Sequence, residues 1–149
     1  MQHSGQLLFI CTGNYYRSRY AEALFNYYAD LAAIPWRAIS RGFVPHQIPG
    51  ELAPQVENAL RMRGISLDYV SERKEALQEE DLEQSERVIA LQEDEHRLYM
   101  RLRFPEWMDR IEYWSTQGSN GGGMYATLPV IETLVQDLVA ELARELVPS

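Results

Sequence analysis

The chain has 149 residues, a formal net charge of -8 and one cysteine. This length suits one domain with one hydrophobic core, which we expect to span residues 1–149. A lone cysteine excludes an intramolecular disulfide, a CxxC redox pair and a cysteine-rich zinc site. The acidic balance argues against general binding to nucleic acid, which depends on neutralisation of phosphates by Lys and Arg.

The composition also indicates where the protein works. The first six residues lack the basic segment and apolar run of a signal peptide, and no apolar stretch approaches the length that spans a membrane. We therefore expect a soluble cytoplasmic protein without a membrane partner. The charge is unevenly distributed, because residues 1–41 carry four arginines and two acidic residues, hence +2, and the remainder carries -10. A small positive region in an acidic protein suits a compact anionic substrate.

Apolar residues alternate between strand-like runs and helical spacing along the chain. Four strands are predicted, at Leu7–Ile10, Trp36–Ser40, Arg87–Leu91 and Ile111–Trp114. Four helices are predicted, at 18–33 with Ser18 or a residue just before it as N-cap, from Leu52 to a C-cap at Gly64, at His96–Phe104, and from Val130 to Leu146. The Glu-rich stretch 75–86 is interpreted as a solvated helix face or turn. The alternation predicts an α/β fold, a single-domain three-layer arrangement with a four-stranded parallel sheet flanked by helices on both faces.

The stretch Cys11–Ser18 joins the first predicted strand to the first predicted helix. Residues 12–16 suffice to wrap an oxyanion with backbone amides, and the N-terminus of the following helix also attracts negative charge. Gly13 permits the positive backbone angles of such a nest, and Asn14 tolerates them. The planar fork of Arg17 grips two oxygens of a tetrahedral anion, which a lysine cannot do. The pattern predicts an anion site with a thiol at its floor.

A nucleophilic Cys11 needs a stabilised thiolate, because the thiolate is the reactive form. Loop amides, the helix N-terminus and Arg17 all act in that direction. Ser18 adds a hydroxyl that can hydrogen-bond to the sulfur and ease its departure from a phosphocysteine intermediate. We therefore predict Cys11, Arg17 and Ser18 as catalytic residues. Phosphate is expected to bind to Thr12, Gly13, Asn14, Tyr15, Tyr16 and Arg17.

The stretch Ile10–Ser18, near the N-terminus of a chain of this length, resembles the signature loop of the low-molecular-weight protein tyrosine phosphatases. The resemblance implies that Cys11 is the nucleophile, Arg17 the ligand of the phosphate and transition state, Ser18 the partner of the thiolate, and Asn14 the residue that holds the shape of the loop. It implies a metal-free reaction without a cofactor. The substrate is then a phosphorylated protein or a small phosphomonoester, and inorganic phosphate or a similar oxyanion is a further ligand.

Two further residues follow from the resemblance. Ser40 resembles the family's serine after the second strand, which hydrogen-bonds to the loop asparagine, although an ordinary serine at a strand end is an equal alternative. Tyr15 lies at a loop position that shapes substrate access in the family and is a candidate for stacking on an aromatic substrate. Tyr16 stands where the family commonly has a second cysteine. A disulfide switch at Cys11 is therefore not expected, and neither is the cysteine relay of the related arsenate reductases.

The general acid of the family is absent from its usual place. That acid is an aspartate in an Asp-Pro-aromatic loop after the last strand, whereas the corresponding residues 115–120 here are neutral. Asp109, Glu112 and His46 are candidates for a displaced acid, although an ordinary surface position is the favoured assignment for each. Tyr125 is a candidate for the family's aromatic pocket wall, or else an ordinary packed tyrosine.

Two functions are consistent with this pattern. The first is hydrolysis of a phosphomonoester, protein phosphotyrosine or a small aryl phosphate, through a phosphocysteine intermediate. The second is a phosphate-loop binding module or pseudophosphatase with little turnover. The intact nucleophile favours the enzyme, and the missing acid favours the binding module.

Overall fold

The first strand, β1, is the centre of the architecture because it pairs on both of its edges. The computed structural model describes residues 4–117 and 123–146. Its strands are β1 (Gly5–Cys11), β2 (Trp36–Gly42), β3 (Arg87–Ala90) and β4 (Glu112–Tyr113), in the spatial order β2-β1-β3-β4. All three pairings are parallel. The predicted four-stranded parallel sheet is confirmed.

Five α-helices and three short 3-10 turns connect the strands within the described residues. The helices are α1 (Arg17–Leu31), α2 (Pro54–Met62), α3 (Glu79–Gln84), α4 (Glu93–Arg103) and α5 (Gly123–Glu145). The 3-10 turns are Pro45–Gln47, Leu67–Tyr69 and Pro105–Trp107. Among the described residues, no helix has both the length and the apolarity needed to cross a bilayer.

Helices cover both faces of the sheet, as predicted. Leu7 and Phe9 of β1 point into a core that α1, α2 and α5 complete. Leu8 and Ile10 point into a second, smaller core that includes Leu82 of α3 and Met100 of α4. The alternation explains why residues 7–10 are continuously apolar, since a strand buried on both faces has no solvent side.

The predicted helix starts agree with the structure to within two residues for α1 and α2, and they differ more for α4 and α5. The N-cap of α1 is Tyr16, which fits the predicted alternative of a residue just before Ser18. Ser18 itself lies inside the helix, where its hydroxyl bonds to Cys11 and Asn14. Helix α4 begins at Glu93, three residues early, where acidic side chains favour a first turn. Helix α5 begins at Gly123 and runs through Pro129. Proline usually interrupts a helix, so the apolar pattern alone starts this one too late.

Two further predictions concern the Glu-rich stretch 75–86 and the fourth strand. Within that stretch, α3 exposes its glutamates and buries Leu82, so the interpretation as a solvated helix face is confirmed. The fourth strand is shortened to two residues, and it pairs only with β3 at the sheet edge.

Truncation of Phe9 should destabilise the fold strongly. The ring is fully buried, with centroids 6.2 Å from Phe25 and 5.7 Å from Trp114. We expect Phe9→Ala to lower the free energy of unfolding in urea by about 3–5 kcal/mol. The control Leu102→Ala removes a side chain that is 69% exposed and should change stability by less than about 0.5 kcal/mol. Equal losses in the two variants would contradict this assignment of the core.

Candidate active site

The loop between β1 and α1 turns at Asn14. Asn14 is the loop residue in the left-handed region, with φ of 49°, and Gly13 lies outside that region, so the predicted reason for Gly13 is wrong. Gly13 is instead required by close packing, since a Cβ there would lie 2.5 Å from Cγ1 of Ile48. A Cβ at Gly42 would likewise lie 2.7 Å from the backbone nitrogen of Asn14. The end of β2 therefore presses directly against the turn.

The Asn14 side chain connects the loop to three other segments. Its Oδ1 accepts a hydrogen bond from the backbone N–H of Glu75 at 2.9 Å, which fixes the orientation of the amide. Its Nδ2 then donates to Ser18 Oγ at 2.8 Å and to Ser40 Oγ at 3.0 Å. The asparagine is fully buried and every polar atom of its amide has a partner. The structure thus brings together Asn14, Ser18 and Ser40.

Glu22 of α1 extends this network into the interior. Ser40 Oγ donates to Glu22 Oε1 at 2.6 Å, and the backbone and hydroxyl of Ser71 donate to Oε2 at 2.9 and 2.6 Å. Burial raises the pKa of Glu22, and the hydrogen bonds from both serines offset part of that effect. The carboxylate accepts three bonds and so gives the network one direction, from Asn14 through Ser40 to Glu22.

The hydrogen bond from Asn14 also orients the Ser18 hydroxyl toward Cys11. The two side chains are buried, and Cys11 Sγ lies 3.0 Å from Ser18 Oγ. Because Ser18 Oγ already accepts a hydrogen bond from Asn14, its own proton is free to point at the sulfur. The arrangement gives the sulfur a hydroxyl donor, which is the contact that a thiolate requires.

Arg17 meets a carboxylate that is distant in sequence. Its Nη1 and Nη2 donate to Oε2 and Oε1 of Glu95 at 3.0 and 3.1 Å, the bidentate geometry of a guanidinium with a two-oxygen anion. Thr12 Oγ1 also hydrogen-bonds to Glu95. Burial acts to raise the pKa of Glu95, but the hydrogen bonds from Arg17 and Thr12 dominate and hold it at about 2. Glu95 is therefore ionised at neutral pH.

His96 supports Thr12 from below. The ring is fully buried, its Nδ1 accepts from the backbone N–H of Gln92 at 3.1 Å, and its Nε2 lies 3.1 Å from Thr12 Oγ1. Nε2 therefore carries the proton and donates to Thr12, whose own proton is directed at Glu95. Burial, together with the nearby Arg17 cation, lowers the pKa of His96 to about 4.

Two neighbouring cavities open over these residues. The first, of about 250 Å³, is lined by Cys11, Thr12, Gly13, Tyr15, Tyr16, Arg17, Ile48 and Glu95. The second, of about 500 Å³, is lined by Tyr16, Arg17, Gln92, Asp94, Glu95, Thr116, Gln117, Gly123 and Thr127. Tyr16, Arg17 and Glu95 contribute to both. Every predicted loop residue from Cys11 to Arg17 except Asn14 lines the first cavity, and Asn14 lies beneath it.

The proposed replacements for the missing acid lie elsewhere. Asp109 pairs with Arg97 and Glu112 pairs with Arg87, while His46 is exposed, and none of the three lines either cavity. Their alternative assignment to ordinary surface positions is confirmed. Tyr125 is 72% exposed on α5, so the alternative of an ordinary packed tyrosine is wrong, and among the described residues it lines neither cavity. Residues 118–120 of the neutral stretch lie outside the described residues.

The predicted basic segment does not form a positive patch at the site. Arg37 binds Asp30, and Arg41 binds Glu75 and Asp81, so these arginines are neutralised at other places on the fold. Within residues 4–117 and 123–146, no group of three His, Cys, Asp or Glu side chains could hold a metal ion. Of the four arginines of the segment, Arg17 is the one that lines the cavity over Cys11, whereas Arg19 is buried and donates to the backbone carbonyl of Ser71.

Glu95 and His96 are the residues that sequence reasoning missed. They follow β3, and parallel neighbouring strands bring their carboxyl ends to one edge of the sheet. A carboxylate just after the strand next to β1 was therefore a usable signal.

Protonation of His96 should destabilise the protein. Its pKa is about 4 in the fold and about 6.5 when unfolded, so the unfolded chain binds the proton first and stability falls as the pH drops through this interval. We expect a loss of about 2 kcal/mol between pH 7 and pH 5, measured by urea unfolding, and a much smaller loss in His96→Gln. His46→Gln, at an exposed histidine, should retain the wild-type loss. Identical pH dependence in wild type and His96→Gln would contradict the prediction.

Comparison with known proteins agrees with this geometry. The family described as low molecular weight phosphotyrosine protein phosphatase matches residues 6–147. A protein-arginine-phosphatase of Bacillus subtilis (strain 168) is 29% identical over 94% of this chain and 95% of its own. The crystal structure of YfkJ from Bacillus subtilis has the same fold, with a TM-score of 0.78 at 22% identity, covering 96% of this chain and 97% of its own. The low molecular weight protein tyrosine phosphatase from T. tengcongensis gives a TM-score of 0.65 at 25% identity, covering 95% and 97%. The chain therefore belongs to the low-molecular-weight phosphotyrosine protein phosphatase family, whose members act as cysteine-dependent phosphatases.

Proposed function

We propose that this protein hydrolyses phosphomonoesters, either protein phosphotyrosine or a small aryl phosphate, through a phosphocysteine intermediate on Cys11. The observation that carries the proposal is the pairing of Cys11 Sγ with the Ser18 hydroxyl at 3.0 Å in a cavity that Arg17 also lines. A nucleophile, a donor for its thiolate and a cation for the phosphoryl group lie within one loop. A cytoplasmic location remains a prediction from the single cysteine.

In the first step, the Cys11 thiolate attacks phosphorus and the bond to the leaving oxygen breaks. Arg17 binds two phosphoryl oxygens with the fork that now holds the two oxygens of Glu95. Backbone amides of residues 12–16 and the N-terminus of α1 stabilise the remaining charge. In the second step, water attacks phosphocysteine, and the sulfur leaves as a thiolate that accepts the Ser18 hydrogen bond.

A phosphoarginine side chain is a second candidate substrate. One observation in favour is the similarity to a protein-arginine-phosphatase over almost the whole chain. Another is the composition of the 500 Å³ cavity, which contains the carboxylates of Asp94 and Glu95 next to Arg17. Ionised carboxylates accept hydrogen bonds from a guanidinium group, whereas they repel an anionic or electron-rich ring. Both candidates share the same nucleophile and phosphate ligands.

Replacement of the nucleophile tests the mechanism. We expect Cys11→Ser to abolish hydrolysis of 4-nitrophenyl phosphate, because a serine hydroxyl is a far weaker nucleophile here, while binding of tungstate is retained. If Cys11→Ser hydrolyses 4-nitrophenyl phosphate as fast as wild type, the mechanism is refuted. Tungstate binding without any Cys11-dependent turnover in wild type would instead favour the binding module.

A substrate comparison decides between the two phosphoryl donors. Phosphotyrosine and phosphoarginine peptides of one sequence are to be compared by kcat/KM with wild type, with Cys11→Ser as the blank. Preference for phosphotyrosine by tenfold or more supports the phosphomonoesterase, and preference for phosphoarginine by that factor supports the second candidate.

Removal of the Ser18 hydroxyl should slow the reaction of Cys11. A hydrogen bond to a charged group contributes about 1.5–3 kcal/mol, which corresponds to roughly tenfold to a hundredfold in rate. We expect Ser18→Ala to reduce both 4-nitrophenyl phosphate turnover and alkylation by iodoacetamide at pH 7 by such factors. Ser4→Ala, at an exposed serine, is the control. Unchanged alkylation in Ser18→Ala would show that the hydroxyl does not stabilise the thiolate.

A further inference from the structure

Glu95 binds the guanidinium donors of Arg17 that a phosphoryl group needs for binding. Its two oxygens bind Nη1 and Nη2 of Arg17, and it also bonds to Thr12 at the entrance to the loop. A guanidinium has five N–H donors, but Nε of Arg17 is buried, so a ligand that enters the cavity meets the edge of Nη1 and Nη2 that Glu95 holds. Under the proposed function, the substrate must therefore displace the Glu95 carboxylate before Cys11 can react.

The displaced carboxylate remains at the open side of the cavity. Glu95 lies in the first turn of α4, and its side chain is 39% exposed, whereas that of Arg17 is 12% exposed and Cys11 is 2% exposed. Cys11 therefore forms the floor and Glu95 the rim of the same cavity. In an in-line transfer the leaving group departs on the side opposite the nucleophile, which is the side of the rim. Glu95 thus belongs to the part of the cavity lining that faces the leaving group.

Displacement also changes the charge that Glu95 experiences. It loses the hydrogen bonds from Arg17 and Thr12 that keep it ionised and gains a phosphoryl dianion as neighbour. The groups that face it are Cys11, Tyr16 and Arg17 from the loop and α1, and Asp94 and His96 from α4. His96 is neutral near pH 7, so it supplies no replacement cation. A carboxylate moved from a cation to an anion binds a proton more tightly.

We propose that Glu95 is the general acid of this enzyme, held by Arg17 in the free protein and released as a proton donor when a phosphoryl group takes its place. The inference rests on the proposed function. It assigns to a residue of α4 the proton transfer that an aspartate after the last strand performs in the family, and this chain lacks that aspartate. Glu95 lies on the rim that Asp109, Glu112 and His46 do not reach.

Glu95 exchanges a proton in each of the two chemical steps. Binding of the substrate dianion displaces Glu95, which takes up one proton from solvent. The Cys11–phosphorus bond forms, the bond from phosphorus to the leaving oxygen breaks, and its electron pair stays on that oxygen, which receives the proton of Glu95. The product alcohol leaves and Glu95 is again a carboxylate. It then accepts a proton from the water that attacks phosphocysteine, and the Cys11 thiolate departs. When phosphate leaves, Glu95 returns this proton to solvent and binds Arg17 again, so one proton is taken up and one released in each cycle.

The test compares Glu95→Gln with Glu93→Gln, a change of the same kind at an exposed residue of the same helical turn that bonds to Arg97. Values of kcat/KM are measured for a series of aryl phosphates from 4-nitrophenyl to phenyl phosphate. A nitrophenolate leaves without a proton, so its rate should fall less than about threefold in Glu95→Gln. The phenyl ester needs the proton, and its rate should fall by about 10²-fold or more. Glu93→Gln should match wild type throughout.

Proton uptake provides a second, independent measurement. Binding of sulfate, a dianion without a titratable proton, is measured calorimetrically at pH 6 in buffers of different ionisation enthalpy. Wild type should take up more protons per sulfate than Glu95→Gln, by up to about one, because contributions from Cys11 are common to both. Glu95→Gln should bind sulfate at least as tightly as wild type, since a competitor for Arg17 has been removed.

The outcomes separate this inference from the proposed function. An equal loss of rate for all esters in Glu95→Gln, or proton uptake equal to that of wild type, would overturn the role of Glu95 and leave Cys11-dependent hydrolysis intact. Absence of turnover in wild type, or turnover that persists in Cys11→Ser, would overturn the proposed function itself. A purely structural role of Glu95 predicts weaker sulfate binding and no dependence on the leaving group.

Discussion

The site depends on the left-handed conformation of Asn14. A non-glycine residue with φ near +50° costs free energy, and here buried hydrogen bonds to Glu75, Ser18 and Ser40 offset that cost. The turn requires the absence of side chains at its two closest contacts, Gly13 and Gly42. Because the same amide orients Ser18, the shape of the loop and the donor to Cys11 have one common cause. A change at Asn14 affects both at once.

Electrostatics around Arg17 reconcile an acidic protein with an anionic ligand. The other arginines of the basic segment that pair with carboxylates do so away from the site, and Arg17 itself is occupied by Glu95 in the free protein. Burial acts to lower the pKa of Arg17, but the hydrogen bonds that Arg17 donates to Glu95 and the electrostatic interactions with neighbouring groups together raise it. An internal carboxylate thus keeps a buried cation compensated, where an uncompensated one is costly. Under the role proposed for Glu95, phosphate binding is an exchange of one anion for another.

This exchange has a consequence for specificity. A ligand must compete with a tethered carboxylate, so weak anions are disfavoured and a doubly charged phosphoryl group has the advantage of its second charge. Thr12 and His96 hold Glu95 in the position where it competes, since the proton of each is directed along the chain from His96 to Thr12 to Glu95. The buried histidine therefore acts on the site indirectly, through the orientation of a hydroxyl.

Local sequence determined the nucleophilic half of the site. Cys11, Asn14, Arg17 and Ser18 lie within one strand-loop-helix unit, so their spacing alone predicted an anion site with a thiol, and alternating apolar patterns predicted the parallel sheet. Tertiary structure decided what faces that loop. Glu95 is 78 residues from Arg17 along the chain and meets it because β1 and β3 pair in parallel and end at the same edge. Contacts between separate segments likewise decided the conformation of Gly13, the neutralisation of the basic segment and the bonding of Ser40 to Glu22. Such contacts leave no local periodicity in the sequence, since each depends on how separate elements pack.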